Sequence, residues 1–143
     1  MSQISATFNV TINRFRPLGG VFPISASFAL PVPVTGITLS GKTISVSVPA
    51  GTTVQLIFNL PDPNFVLLGI AFAANESGPV VVGRQEFPSV SISRSTSGSQ
   101  MTVLDACISN FNDVRFNYVI MVQSLRNGDI GLIDPAIVSE NDS

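Results

Sequence analysis

The chain has 143 residues, 45% of them apolar and only 11% charged, with a net charge of −2, one cysteine and no histidine. This composition excludes an intrachain disulfide, Ser-His-Asp or Cys-His catalysis, the common zinc sets and a phosphate-binding basic surface. The length fits one domain, 1–143, able to bury about two-thirds of the surface its unfolded chain would expose.

Soluble domains usually carry ~25% charged residues. Here Ser, Thr, Asn and Gln must make the polar surface, and weak electrostatic repulsion leaves the chain free to self-associate. The basic residues are scattered from Arg14 to Arg126, with Lys42 the sole lysine. Arg14 and Arg16 form the nearest thing to a cluster and read as a solvated loop entry, so no nucleic acid partner is expected. The opening MSQISATFNV lacks a charged start followed by an apolar run, so no secretion signal is read and the cytoplasm is the expected location. The longest apolar run, Phe65 to Ala74, is too short for a membrane span. Asn9 and Asn75 stand in sequons that carry no meaning in a cytoplasmic protein.

The first element is read from an unbroken alternation. Ile4, Ala6, Phe8, Val10 and Ile12 are apolar, and Ser5, Thr7, Asn9 and Thr11 between them are polar. Period two is the mark of a strand with one buried face. After the breaker RPLGGVFP, Ile24, Ala26, Phe28 and Leu30 repeat the pattern. PVPVTG and LSGKT follow, the latter a hairpin turn around Gly41. Ile44, Val46 and Val48 come next, then the turn PAGT, then Val54, Leu56, Phe58 and Leu60. PDPN, from Pro61 to Asn64, is a strong turn, because proline presets φ and Asp or Asn bonds back to its own backbone.

Phe65 to Ala74 is apolar on both faces. Gly69, Pro63 and the recurring β-branched and aromatic residues weigh against a helix, so it is expected as a central strand covered on both sides. NESGP turns the chain, and VVVG makes a short strand. SVSISRS places Val90 and Ile92 on one face, and MTVLDACIS follows TSGSQ. After NFND, the run VRFNYVIMVQS aligns Val114, Phe116, Tyr118, Ile120 and Val122. Asn127-Gly128 is expected to close a two-residue type I′ hairpin onto DIGLI. Pro135 cannot donate to a ladder, so pairing is expected to stop there or move to an edge, with the later acids in a solvated tail that opposes edge-to-edge aggregation. No helix, repeat or linker is read. The expected fold is an all-β, antiparallel immunoglobulin-like or jelly-roll-like β-sandwich of about eight strands.

Chemistry-bearing residues are few. Cys107 lacks a base and reads as a small buried hydrophobe. Glu76, Glu86, Asp105 and Asp113 are the carboxylates from which a glycosidase pair would have to come. Asp105 lies inside an apolar strand; it is expected to point outward or to bond a turn backbone, and a buried position would call for a partner such as Arg115 or Arg94. Asn and Asp gather at turns for backbone reasons, and no spacing resembles a calcium loop. No catalytic residue, metal site or cofactor is expected. Asn110, Phe111, Asn112 and Asp113 form the candidate ligand loop should the protein bind carbohydrate.

The C-terminal stretch, an aromatic-x-aromatic strand, an Asn/Gly hairpin and then IDPAIVSEND, resembles the end of the small bacterial DP-EP proteins. Asp134-Pro135 matches the first of the two dipeptides for which these are named. The second departs, since Glu140 precedes Asn141 and not proline. The resemblance covers about the last thirty residues and implies a bacterial β-sandwich of uncharacterised function with no catalytic residues to carry over. The functional expectation is a non-enzymatic protein that binds itself, as a dimer or larger homo-oligomer, or another protein. A carbohydrate-binding module and a structural subunit of a larger assembly are the alternatives.

Overall fold

A computed structural model describes residues 2–15, 21–74, 86–107 and 114–142. Among the described residues there is no helix; eleven strands form two sheets. The five-stranded sheet contains β1 (Ser2–Arg14), β3 (Ser25–Ala29), β6 (Thr52–Leu60), β8 (Ser89–Ser95) and β9 (Gly98–Asp105), in the order β3-β1-β6-β9-β8. The six-stranded sheet contains β4 (Ile37–Ser40), β5 (Thr43–Val48), β7 (Phe65–Ala74), β10 (Val114–Ser124) and β11 (Ile130–Asp142), in the order β4-β5-β11-β10-β7, with β2 (Val21–Pro23) also paired to β11.

Alternation sets which side chains meet. Ala6, Phe8 and Val10 of β1, Val54, Leu56, Phe58 and Leu60 of β6, and Met101 and Val103 of β9 point inward. Ile44, Val46 and Val48 of β5, Tyr118, Ile120 and Val122 of β10, and Ile133 of β11 come from the other sheet into the same core. The rings of Phe58 and Tyr118 lie 6.0 Å apart across the two sheets, and Phe28 lies 5.9 Å from Phe58 and 6.5 Å from Tyr118. The Tyr118 hydroxyl donates to the Lys42 carbonyl at 3.1 Å, which satisfies the one polar atom this ring brings inside.

The sheets are mixed, not antiparallel throughout. β1 runs parallel to β6, and β11 runs parallel to both β2 and β5. The chain passes back and forth between the sheets, so strands distant in sequence become neighbours with the same direction. Period two decides which face is buried and carries no information on partner direction.

The acidic end is a strand, not a solvated tail. Ile137–Asp142 pairs with β5 on one side, and Ala136 to Glu140 pairs with β10 on the other. Pro135 is tolerated because the ladders leave a gap there. Tyr118 pairs with Ala136 and Ile120 with Ile133, so Asp134 and Pro135 bulge opposite Val119. On the far side the partner changes from β2, at Ile130–Leu132, to β5, at Ile137 onward.

The turn before β11 also differs from expectation. Ser124 N donates to the Asp129 carbonyl, which makes Leu125 to Gly128 the connection, and only Gly128 has positive φ (80°). Asn127 is not left-handed; its Oδ1 accepts from Asp129 N at 3.0 Å. The turns at Gly41, at Pro49–Gly51 and at Pro61–Asn64 stand where breaker residues placed them.

Two outcomes follow. A chain ending at Pro135 leaves β5 and β10 without their shared neighbour and is expected to lose its cooperative thermal transition; an unchanged melting temperature would show the end to be a tail after all. Burial pushes the Tyr118 hydroxyl far above the ordinary tyrosine value near 10. The unfolded chain releases this proton near pH 10 while the fold keeps it, so stability is intact below that pH. Above it stability falls by about 1.4 kcal/mol per pH unit. Absorbance at 295 nm, from the sole tyrosine, is expected to appear only with unfolding; a phenolate near pH 10 in an intact fold would contradict this burial.

Candidate functional site

The outer faces of the two sheets differ in their central rows. On the five-stranded sheet, register places Asn9, Asn59, Gln100 and Ser93 in one row across β1, β6, β9 and β8. The next rows hold Thr7, Ile57, Thr102 and Ser91, then Ser5, Gln55, Leu104 and Ser89. Several of these polar side chains bond across strands, with Asn59 Nδ2 donating to Asn9 Oδ1 at 3.3 Å and Ser5 Oγ to Gln55 Oε1 at 3.1 Å. This is the hydroxyl and amide surface that the composition required.

The outer face of the six-stranded sheet is apolar at its centre. Leu132, Met121 and Gly69 form a row across β11, β10 and β7, with Val119 beside Ala71 in the next. A bulge interrupts the run Phe65 to Ala74, which is apolar at every position. Met121 pairs with Gly69 and Val122 with Leu67, so Leu68 is an extra residue. Leu67 and Ile70 then face the core side while Leu68 and Gly69 both lie on the outer side. Leu68 is 37% exposed and Met121 40%. Among the described residues β7 ends the six-stranded sheet and is not a central strand; its outer side is open at Leu68, while Val66, in phase with Gln123, is buried. Part of its edge is closed off: the Leu67 amide donates to the buried Ser99 hydroxyl at 3.0 Å.

A smaller apolar feature lies on β8. Val90 and Ile92 pair with Val103 and Met101, so they lie in phase with the core, yet they are 43% and 39% exposed. Among the described residues the six-stranded sheet ends at β7, and all seven residues of β8 are exposed.

The carboxylate corner has a different character. Asp105 is fully buried at the end of β9 and does not point outward. Its Oδ1 accepts from the Cys107 amide at 3.0 Å, the turn-backbone role expected of it. Arg94 is not its counter-charge, because Arg94 pairs with Ser99 at the opposite end of the β8–β9 hairpin. Glu86, also buried, is brought to the same corner by a bond from the Ala106 amide to its carbonyl at 2.8 Å. Cys107 packs half-buried against the core with left-handed φ of 52°, a conformation a non-glycine residue holds only under constraint. Glu76, Asn110, Phe111, Asn112 and Asp113 lie outside the described residues. For Asp134, Pro135 and Glu140 only the backbone course in β11 is described, and it separates Asp134 from Glu140 along one strand.

Compared with known protein families and curated proteins, the chain matches no family model and no curated relative. Among the described residues, the outer face around Met121 exposes Leu68 and Met121, and β8 exposes Val90 and Ile92.

Asp105→Ala removes the carboxylate that bonds the Cys107 amide and is expected to cost about 1–3 kcal/mol. Asp105→Asn retains an acceptor oxygen and is expected to cost less. Equal losses in denaturant unfolding would show that the charge, and not the turn bond, is what matters.

Proposed function

We propose that this protein is a non-enzymatic β-sandwich whose function is self-association, and that the outer face of the six-stranded sheet is the surface that pairs. The carrying observation is the row Leu132–Met121–Gly69, with Leu68 pushed outward by the bulge and no charged side chain in the row. A second copy is the fitting occupant. Only 11% of residues are charged and the net charge is −2, so two copies meet with little repulsion. A two-fold interface would set each apolar row against its own image, with Asn117 and Gln123 at the ends of the β10 stripe as polar rim.

The sandwich reading rests on two sheets that contribute to one core; an immunoglobulin-like or jelly-roll-like topology, membership of the DP-EP proteins on Asp134-Pro135, a bacterial source and a cytoplasmic setting belong to the same proposal. A role as a subunit of a larger assembly would use this surface too. The carbohydrate reading has its loop, Asn110 to Asp113, outside the described residues and rests on sequence alone.

Sedimentation velocity over a range of concentrations tests the pairing. The wild-type chain is expected to dimerise, and Met121→Glu to be monomeric with stability within about 0.5 kcal/mol of wild type, since the site is exposed. Ser91→Glu places the same charge on the opposite face and is expected to leave the dimer intact. A wild-type chain that stays monomeric would contradict the proposal, as would a dimer abolished by Ile92→Glu but not by Met121→Glu.

A further inference from the structure

Of the chain's asparagines, only Asn127 is followed by glycine. That pair carries a spontaneous reaction, because glycine has no side chain to shield its backbone nitrogen. Gly128 N attacks the side-chain carbonyl carbon of Asn127. A Gly128 N–Asn127 Cγ bond forms, the Cγ–Nδ2 bond breaks, and ammonia leaves with the proton that the backbone amide gives up. Water then opens the cyclic imide at either of its carbonyls, which yields aspartate or isoaspartate. Water is the only other reactant.

The turn between β10 and β11 holds this reaction back. Asn127 and Gly128 are both exposed, so water reaches them. Yet the proton that Gly128 N has to lose is donated to the Ser124 carbonyl, at 2.9 Å. Asn127 Oδ1 accepts from Asp129 N at 3.0 Å, which fixes the carboxamide. Gln123 Nε2 donates to the Gly128 carbonyl at 3.1 Å and braces the turn from β10. The Ser124 and Leu125 amides add bonds to the Asp129 and Asn64 carbonyls, at 2.8 and 2.9 Å. Ring closure rotates the Asn127–Gly128 peptide toward Cγ, and that rotation takes the Gly128 N–H away from Ser124. The reaction rate therefore follows the population of the opened turn.

The two products differ in what they do to the fold. Asn127 gives the turn one acceptor oxygen, and aspartate supplies the same. Isoaspartate runs the main chain through the side-chain carbon. It lengthens the connection Leu125–Gly128 by one backbone atom, between ends that the Ser124–Asp129 bond holds together. β11, which begins at Ile130, is the strand that joins β5 to β10.

We infer that Asn127 is a deamidation site gated by the β10–β11 turn. It is closed while the Gly128 N–H is bonded to Ser124 and opened when the turn frays. It leaves either an aspartate that the fold accepts or an isoaspartate that loosens the entry to β11. Neither the reaction nor its gate depends on the proposed pairing of copies.

The test is peptide mapping by mass spectrometry of the full chain, incubated at mildly alkaline pH in buffer and in urea. Isoelectric focusing follows the negative charge added to a chain of net charge −2. In urea, Asn127 is expected to react before every other asparagine. In the folded chain its rate is expected to be lower by about tenfold or more. Gln123→Ala keeps the Asn-Gly pair and removes one brace; it is expected to speed the reaction by about threefold to tenfold in buffer and to leave it unchanged in urea. The Asn127→Asp chain is expected to melt with the wild type, and the isolated isoaspartate form below it. Equal rates in buffer and urea, another asparagine reacting first in urea, a Gln123→Ala chain no faster than wild type in buffer, or an isoaspartate form as stable as the wild type would each overturn the inference.

Discussion

The contact between Phe58 of β6 and Tyr118 of β10, with ring centroids 6.0 Å apart, is the constraint on which the rest of the molecule depends. It joins the two sheets at the middle of their common core. Each large apolar side chain buried there is worth about 1.5–3 kcal/mol, far more than any exposed polar pair on the outside. Once Tyr118 faces inward, strand geometry leaves Asn117, Val119 and Met121 no choice but to face out. A slip of one residue would bury Asn117 and Met121 and expel Ile120 and Val122. Which residues appear on the outer faces is thus dictated by the core.

Those outer faces differ. The five-stranded sheet shows asparagine, glutamine, serine and threonine in rows, bonded to one another across strands. The six-stranded sheet shows aliphatic side chains at the centre of its outer face, at Leu132, Met121 and Leu68, and hydroxyls at Thr43, Ser45 and Ser47 on β5. A chain with so few charged residues has few means to keep copies apart, and the polar face does not need them. The apolar face does, unless another surface covers it. The C-terminal strand gives this sheet its coherence, because β11 stands between β5 and β10 and carries Leu132 into the apolar row.

Much of this was legible in the residues. The inward side chains of β1, β5 and β6 were readable one by one, as were the turns at Gly41, Pro49–Gly51 and Pro61–Asn64, because alternation and turn chemistry are local. What escaped was decided by contacts distant in sequence. The parallel partners of β11 depend on crossings between sheets that no periodicity records. Pro135 looked like a stop because a proline breaks one ladder bond; the strand continues because on one side its neighbour changes from β2 to β5 around that point and on the other a bulge against β10 removes the demand. The run Phe65 to Ala74 is apolar at every position, so alternation could not say which side chains face the core, and the extra residue Leu68 shifts the phase midway. Of the two positions expected for Asp105, pointing outward or bonding a turn backbone, the structure shows the second, with the carboxylate buried.

The methionines offer the most direct measurement. The chain has three: Met101 is fully buried in the core and Met121 stands 40% exposed at the centre of the apolar face. With methyl-labelled methionine and a soluble paramagnetic probe, the Met121 signal is expected to be broadened strongly in dilute protein and to become protected as concentration rises, while Met101 is protected throughout. A Met121 methyl that stays equally accessible at every concentration, or a Met101 methyl reached by the probe in the folded chain, would contradict the account.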